Sequence, residues 1–186
     1  YANDGTVTLL PYIGVTAPFH FLVSSDGSRV AWGRTESKAT TEGDGILVSE
    51  LYSANSDGSE IRLLYSHDNT IEAGESRIAQ PLSFTDDGNL LFTIQQIGKG
   101  GRWDAYTGRY SNLYSVPIGG GDAVLIYECS PENRGDCIGD VSANNAYFAV
   151  TNRNLGEVVI YNLRGTLITT YVGPGQGYTG RPNFNS

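Results

Sequence analysis

One pattern of hydrophobic and polar positions recurs along the chain: a short apolar run, a tight polar turn and a second apolar run. The turns of its three copies are Asp26-Gly27, Asp87-Gly88 and Asn144-Asn145. A two-residue hairpin turn requires positive φ, which Gly, Asn and Asp tolerate best. The pattern therefore predicts three β-hairpins.

A second hairpin is predicted after each of these three. The turns of the second hairpins are Asp57-Gly58, Gly119-Gly120-Gly121 and Arg164-Gly165. Two successive hairpins make a four-stranded unit, and the polar residues 35–45 and 67–78 are interpreted as connectors. The apolar spacing of three and four that a helix needs is not sustained anywhere in the sequence. The sequence thus predicts an all-β chain.

The length of the repeat indicates a β-propeller. The first turn recurs after 61 residues, from Asp26 to Asp87, and again after 57, at Asn144. A repeat of this length built from two hairpins is typical of a propeller blade. We therefore expect about three four-stranded blades, at residues 14–78, 79–137 and 138–178. Residues 1–13 would end a preceding blade and residues 179–186 would begin a following one. The evidence for the following blade is that Arg181-Pro182 repeats Gln80-Pro81.

Three blades are fewer than a closed propeller contains, because rings close with four or more. We expect these blades to belong to a larger ring of six to eight. The missing blades would come from the rest of a longer chain, or two copies would meet head to tail as a homodimer.

The hairpins carry a family resemblance. The strings Ser24-Ser-Asp-Gly-Ser-Arg-Val-Ala-Trp32 and Thr85-Asp-Asp-Gly-Asn-Leu-Leu-Phe92 resemble the repeat of the TolB-like or WD40-like (PD40-type) β-propellers, in which a Ser-Pro-Asp-Gly turn precedes an apolar strand. The Pro of that turn is missing here. The resemblance implies a periplasmic, cell-surface or extracellular module that binds a protein or another ligand without catalysis.

Two other functions remain open at this point. The same resemblance extends to the propeller domain of prolyl oligopeptidase-type serine peptidases, whose catalytic domain would lie outside this chain. A structural subunit of a larger assembly is the other alternative. No Gly-x-Ser-x-Gly string is present, and His67-Asp68 has no placed serine, so we expect no enzyme activity in these residues.

Charge and composition limit the classes of partner that the chain is expected to bind. The chain has 12 Lys and Arg against 20 Asp and Glu, a net charge of -8, which disfavours nucleic acid. No apolar run approaches the roughly 18 to 20 residues that span a bilayer, so no membrane insertion is expected. Neither zinc nor calcium spacing occurs, and neither a metal nor a cofactor is predicted.

Residues 98–110 are the best candidate for partner binding. This predicted loop is rich in aromatic and arginine side chains, which are enriched in recognition hot spots. Its candidate binding residues are Arg102, Trp103, Tyr106, Arg109 and Tyr110. The alternative is that Trp103 and Tyr106 fold back on their own blade as a cap.

The two cysteines bear on the compartment. Cys129 and Cys137 lie eight positions apart around a polar loop that contains Pro and Gly. Such a pair is able to close a small disulfide, which indicates an oxidising setting. Two free thiols near strand ends are the alternative.

Overall fold

The computed structural model describes residues 21–39, 45–70, 76–97, 111–128, 138–142, 144–152 and 156–172. These residues form twelve β-strands and no helix. The strands are β1 Phe21–Val23, β2 Arg29–Ala39, β3 Gly45–Asn55, β4 Arg62–Thr70, β5 Ser76–Phe84, β6 Asn89–Ile97, β7 Ser111–Pro117, β8 Val124–Tyr127, β9 Ile138–Val141, β10 Tyr147–Asn152, β11 Glu157–Asn162 and β12 Leu167–Val172. The predicted all-β class is confirmed.

The strands form three antiparallel sheets of four strands each. Sheet 1 contains β1 to β4, sheet 2 contains β5 to β8 and sheet 3 contains β9 to β12, and in each sheet the strands lie side by side in chain order. The three four-stranded units that the repeat predicts are therefore present. The described residues do not form a closed ring, so the propeller itself stays a prediction.

The predicted turns all lie between paired strands. Each contains a residue of positive φ, between 52° and 97°, at Gly27, Gly58, Gly88, Gly120, Asn145 and Gly165. The predicted length of two residues was wrong for the first turn of each sheet, however. Ser24 donates its N–H to the carbonyl of Arg29, so four residues separate the paired ends of the first turn. A longer loop of this kind is built around a type I turn and needs positive φ at one position only.

Strands β2 and β3 extend into residues predicted as a loop. Thr35 pairs with Ser49, and the ladder continues to Ala39 opposite Gly45. Strand β4 likewise runs to Thr70, and β5 begins at Ser76. The predicted connectors 35–45 and 67–78 were therefore too long. The reason is that ladder hydrogen bonds join backbone groups, so polar side chains do not end a strand.

The hydrophobic core lies between the sheets. One face of sheet 1, including Ala31 and Leu51, packs against Leu90, Phe92 and Val116 of sheet 2. The opposite face of sheet 2 presents residues to sheet 3, and that second cluster consists of Leu91, Leu113, Phe148 and Val150. Each large side chain buried in this way stabilises the fold by about 1.5–3 kcal/mol relative to exposure. Sheet 2 is thus buried on both faces, as the middle member of a row.

Candidate functional site

The first turn of each sheet is held by a hydroxyl and an Asp or Asn two residues later. In sheet 1, Ser24 donates its hydroxyl to Asp26 at 2.6 Å, and Asp26 accepts the N–H of Ser28 at 3.0 Å. In sheet 2, Thr85 donates to Asp87. Ser142 and Asn144 repeat the arrangement in sheet 3 at 2.8 Å. The Asp is therefore selected as a hydrogen-bond acceptor, while the residue after it adopts the positive φ.

These hydrogen bonds keep the turn carboxyl groups ionised. The hydroxyl of Ser24, followed by the backbone N–H of Ser28, lowers the pKa of Asp26 to about 2. The pKa of Asp57 is lowered chiefly by the hydroxyl of Ser59, and that of Asp87 chiefly by Thr85. Hydrogen bonds to the charged form are the physical cause in each case. The turns thus carry fixed negative charge.

The turns of neighbouring sheets lie at the same end of the row. Arg62, at the start of β4, donates to the carbonyl of Gly119 in a turn of sheet 2 at 2.8 Å. Asn145, in the first turn of sheet 3, donates its amide to the carbonyl of Phe84 at the end of β5 at 2.7 Å. We call this end the turn end. Its six turns follow β1, β3, β5, β7, β9 and β11.

The strand ends that these turns do not join form the opposite end of the row, which we call the loop end. In the sequence, these strand ends are linked by residues 40–44, 71–75, 98–110, 128–137 and 153–156. The longest, 98–110, joins the two central strands of sheet 2 and contains all five predicted binding residues.

A Tyr from the last strand of one sheet lies on an aromatic pair of the next sheet. Tyr65 of β4 lies 5.1 Å from Phe92 and 6.3 Å from Tyr114, as measured between ring centroids. Phe92 and Tyr114 are paired across β6 and β7, and their rings stack at 5.3 Å. Aromatic pairs at these distances stabilise an interface beyond the area that they bury.

The interface between sheets 2 and 3 repeats this arrangement. Tyr127 of β8 lies 5.5 Å from Phe148 and 5.2 Å from Tyr161. These two rings stack at 5.4 Å across β10 and β11. Burial, and then the neighbouring Tyr161 hydroxyl, raises the pKa of Tyr127 to about 12. The same arrangement of three aromatic rings therefore joins sheet 1 to sheet 2 and sheet 2 to sheet 3.

Sheet 3 carries a threonine at the position of these two tyrosines. Tyr65 pairs with Leu51, Tyr127 with Leu113 and Thr169 with Ile160, and each pair lies next to the bulge of its outer strand. Tyr171 lies two residues beyond Thr169 on β12 and is 63% exposed.

Sheet 1 carries the other half of the interface at the far end of the row. Trp32 and Tyr52 are paired across β2 and β3, as Phe92 and Tyr114 are in sheet 2, and their rings stack at 5.6 Å. Trp32 is only 2% exposed, and its Nε1 has no hydrogen-bond partner among the described residues. Burial, followed by a hydrogen bond of 2.8 Å to the carboxylate of Glu50, raises the pKa of Tyr52.

Most of the residues that the sequence singled out are not among those that the structure describes. Arg102, Trp103, Tyr106, Arg109 and Tyr110 lie outside the described residues, and so do Cys129 and Cys137. His67 lies on β4, where its ring stacks on Tyr65 at 6.5 Å, which gives it a packing role. These binding and disulfide assignments stay predictions.

Sequence reasoning missed the interface tyrosines, although a signal for them exists. Tyr65 follows Gly58 by seven residues, and Tyr127 follows Gly120 by the same interval. A Tyr seven residues after the second turn of sheets 1 and 2 indicates a repeated contact, but the sequence does not say what the ring contacts.

Metal and membrane sites were sought in the same residues. No group of three or more His, Cys, Asp or Glu side chains placed to hold a metal occurs in the part of the chain that the structure describes. Within that same part, no helix is long and apolar enough to cross a membrane.

Comparison with known proteins adds no family. No protein-family model matches the chain, no curated protein matches it and no solved structure matches it. The likeness to TolB-like propellers therefore rests on the repeat itself.

Proposed function

We propose that the chain is an arc of a β-propeller and acts as a non-catalytic scaffold that presents loops to a protein partner. Three features support the proposal: four strands per sheet in chain order, sheets packed face to face in a row, and one aromatic interface used twice. Sheets that stack by a repeated contact give a rigid body, because each unit is fixed by its neighbours.

The proposed binding face is supported by one observation, the difference between the chain segments at the two ends of the row. The turn end is closed by short turns whose polar groups bond to one another, as Asp26 does with Ser24 and Ser28. Of the segments that join strand ends at the loop end, two, residues 98–110 and 128–137, are longer than any turn. Loops on a rigid scaffold are where binding residues concentrate. The loop end, with Trp103 and Tyr106, is the proposed face.

A site-specific crosslinking experiment tests this proposal. A photoreactive benzoylphenylalanine is placed at Trp103 in one form of the protein and at Asp122, exposed near the turn end, in another. We expect the form altered at Trp103 to crosslink a defined protein and the form altered at Asp122 to crosslink none. The crosslinked protein is then purified and its affinity is measured. Trp103→Ala is expected to weaken binding by at least about tenfold, about 1.4 kcal/mol, as a hot-spot residue does.

The competing role for this loop, a cap on its own sheet, predicts a different result. In that case Trp103→Ala and Tyr106→Ala lower the melting temperature and leave the affinity of a purified partner unchanged. Equal crosslinking from both ends would contradict the proposed binding face.

We also propose a periplasmic, cell-surface or extracellular location, supported by the spacing of Cys129 and Cys137. A disulfide between them would be stable only in an oxidising compartment. The intact mass of the protein isolated from its source is expected to rise by that of two hydrogen atoms on reduction. An unchanged mass would count against both the bond and the location.

A further inference from the structure

The outer edge of sheet 3 is formed by β12, since no described strand lies beyond it. This strand reads Leu-Ile-Thr-Thr-Tyr-Val and contains no charged residue, no Pro and no Gly. Four of the ten large hydrophobic side chains that are exposed in the described residues belong to it, namely Leu167, Ile168, Tyr171 and Val172. An exposed edge of this composition is a template for pairing with another strand.

The equivalent outer strands of the other two sheets are protected from such pairing. Strand β4 carries Arg62 and Asp68, and charged side chains on an edge strand oppose the approach of a second strand. Strand β8 is only four residues long, and Glu128 follows it directly. A β-bulge interrupts each of the three outer strands, so the bulge does not distinguish them. Among the three, β12 alone combines six residues with the absence of charge.

Antiparallel pairing of β12 with its own copy is self-complementary. Residues that lie opposite one another in an antiparallel ladder share one face of the sheet, so the two-fold axis must pass between two copies of the same residue. With Thr170 at the axis, Thr169 lies opposite Tyr171 of the second copy, and Ile168 lies opposite Val172. Threonine pairs and pairs of aromatic with β-branched residues are favourable across strands. No like charges meet in this register.

We propose that β12 is a dimerisation edge, which pairs antiparallel with β12 of a second copy of this chain around Thr170. The pairing joins the two copies of sheet 3 into one eight-stranded sheet. It occupies both edges, so the assembly stops at two copies. The inference goes beyond the proposed function, because it involves neither the loop end nor a closed ring. A head-to-tail dimer would join sheet faces instead and leave the β12 edge open.

The charge of the chain gives this dimer a distinctive salt dependence. Each copy has a net charge of -8, so two copies repel one another at long range. Strand β12 adds no charge to that repulsion, and its backbone groups pair without any. Salt screens the repulsion between exposed charges. The affinity of the dimer is therefore expected to rise with ionic strength, whereas an oppositely charged partner would bind more weakly.

Sedimentation equilibrium of the full chain, at increasing protein concentration and ionic strength, tests the proposal. We expect a monomer-dimer equilibrium. Thr169→Lys and Tyr171→Glu are each expected to raise the Kd about tenfold, because each brings two like charges close together across the axis. The double variant places opposite charges in both cross-strand pairs and is expected to restore the affinity. Leu63→Lys, at a half-exposed position of β4, adds the same charge as Thr169→Lys and is the control.

Several results would overturn the proposal. They are a monomer at every concentration and ionic strength, assembly beyond two copies, equal weakening by Leu63→Lys, and a double variant that does not recover. Hydrogen exchange gives a second measurement, on the backbone amides of residues 168–172 that do not bond to β11. Their protection is expected to increase with protein concentration. Protection at every concentration would show that another part of the same chain covers the edge.

None of these variants alters the loop end. Failure of partner binding at Trp103 is therefore distinguishable from failure of this inference.

Discussion

The hydroxyl of Ser49 accepts the backbone N–H of Ala79 at 2.9 Å, and this hydrogen bond joins the third strand of sheet 1 to the first strand of sheet 2. Both residues are buried, with 1% of each exposed. A buried amide that loses its acceptor has no water to replace it. The bond therefore fixes where β5 lies on sheet 1.

Ser49→Ala is expected to lower the free energy of unfolding by about 1–3 kcal/mol, the cost of leaving a buried donor unpaired. Ser53 is a matched control, because it is equally buried on the same face of β3 and its hydroxyl has no hydrogen-bond partner in the described residues. Ser53→Ala is expected to leave stability nearly unchanged. Urea unfolding of the two variants measures both. Equal effects would show that the Ser49 hydroxyl contributes nothing specific.

Gly33 is expected to tolerate no side chain, because a Cβ built on it would overlap the carbonyl oxygen of Ala79. Gly33→Ala must push β5 away from β2, so we expect a loss of about 1–3 kcal/mol, typical of overpacking. A Cβ on Gly119 meets nothing within 4 Å, which makes Gly119→Ala the control. Thermal unfolding compares them. If Gly33→Ala and Gly119→Ala have the same melting temperature, the two sheets are not in the close contact described.

The Asp26 turn is expected to weaken in acid. The pKa of Asp26 is lowered to about 2 from 3.8, so the folded state holds the proton less tightly than the unfolded state does. The stabilisation is present above the unfolded pKa and is lost as pH falls through the folded pKa, between about 4 and 2. Asp26→Asn keeps an acceptor, as Asn144 does in sheet 3, but does not titrate.

Unfolding free energies of the wild type and of Asp26→Asn, measured from pH 5 to pH 2, check this prediction. We expect the variant to lose less stability over that range. Parallel curves would mean that the Asp26 carboxyl does not titrate differently in the folded and unfolded states.

The turns were predictable from the sequence because their cause is local. Gly27 and Asn145 adopt the positive φ that their residue types tolerate, and this holds whatever lies around them. The strand ends were not predictable in the same way. Thr35 and His67 are polar residues inside strands, since a neighbouring strand supplies backbone partners that the sequence does not reveal.

The contacts between the sheets could not be predicted from the sequence, for a further reason. Whether Tyr127 meets Phe148 depends on which sheet follows and at what register, and both are set by contacts distant in the chain. The loop residues 102–110 and the cysteine pair stay predictions because they lie outside the described residues.

Tyr127 offers a test of the second interface at high pH. Burial and the Tyr161 hydroxyl raise its pKa to about 12 from 10.0, so the folded state holds this proton more tightly than the unfolded state does. Stability from this group is fully present below pH 10 and is lost as pH rises towards 12. Tyr127→Phe removes the ionisable group and keeps the ring against Phe148. We expect the wild type to lose more stability than the variant between pH 10 and 12, as measured by urea unfolding. Asp26→Asn changes a group that titrates far below this pH range, so its stability should fall with pH as that of the wild type does. If the stability of Tyr127→Phe falls by the same amount, the Tyr127 hydroxyl is not held in the interface.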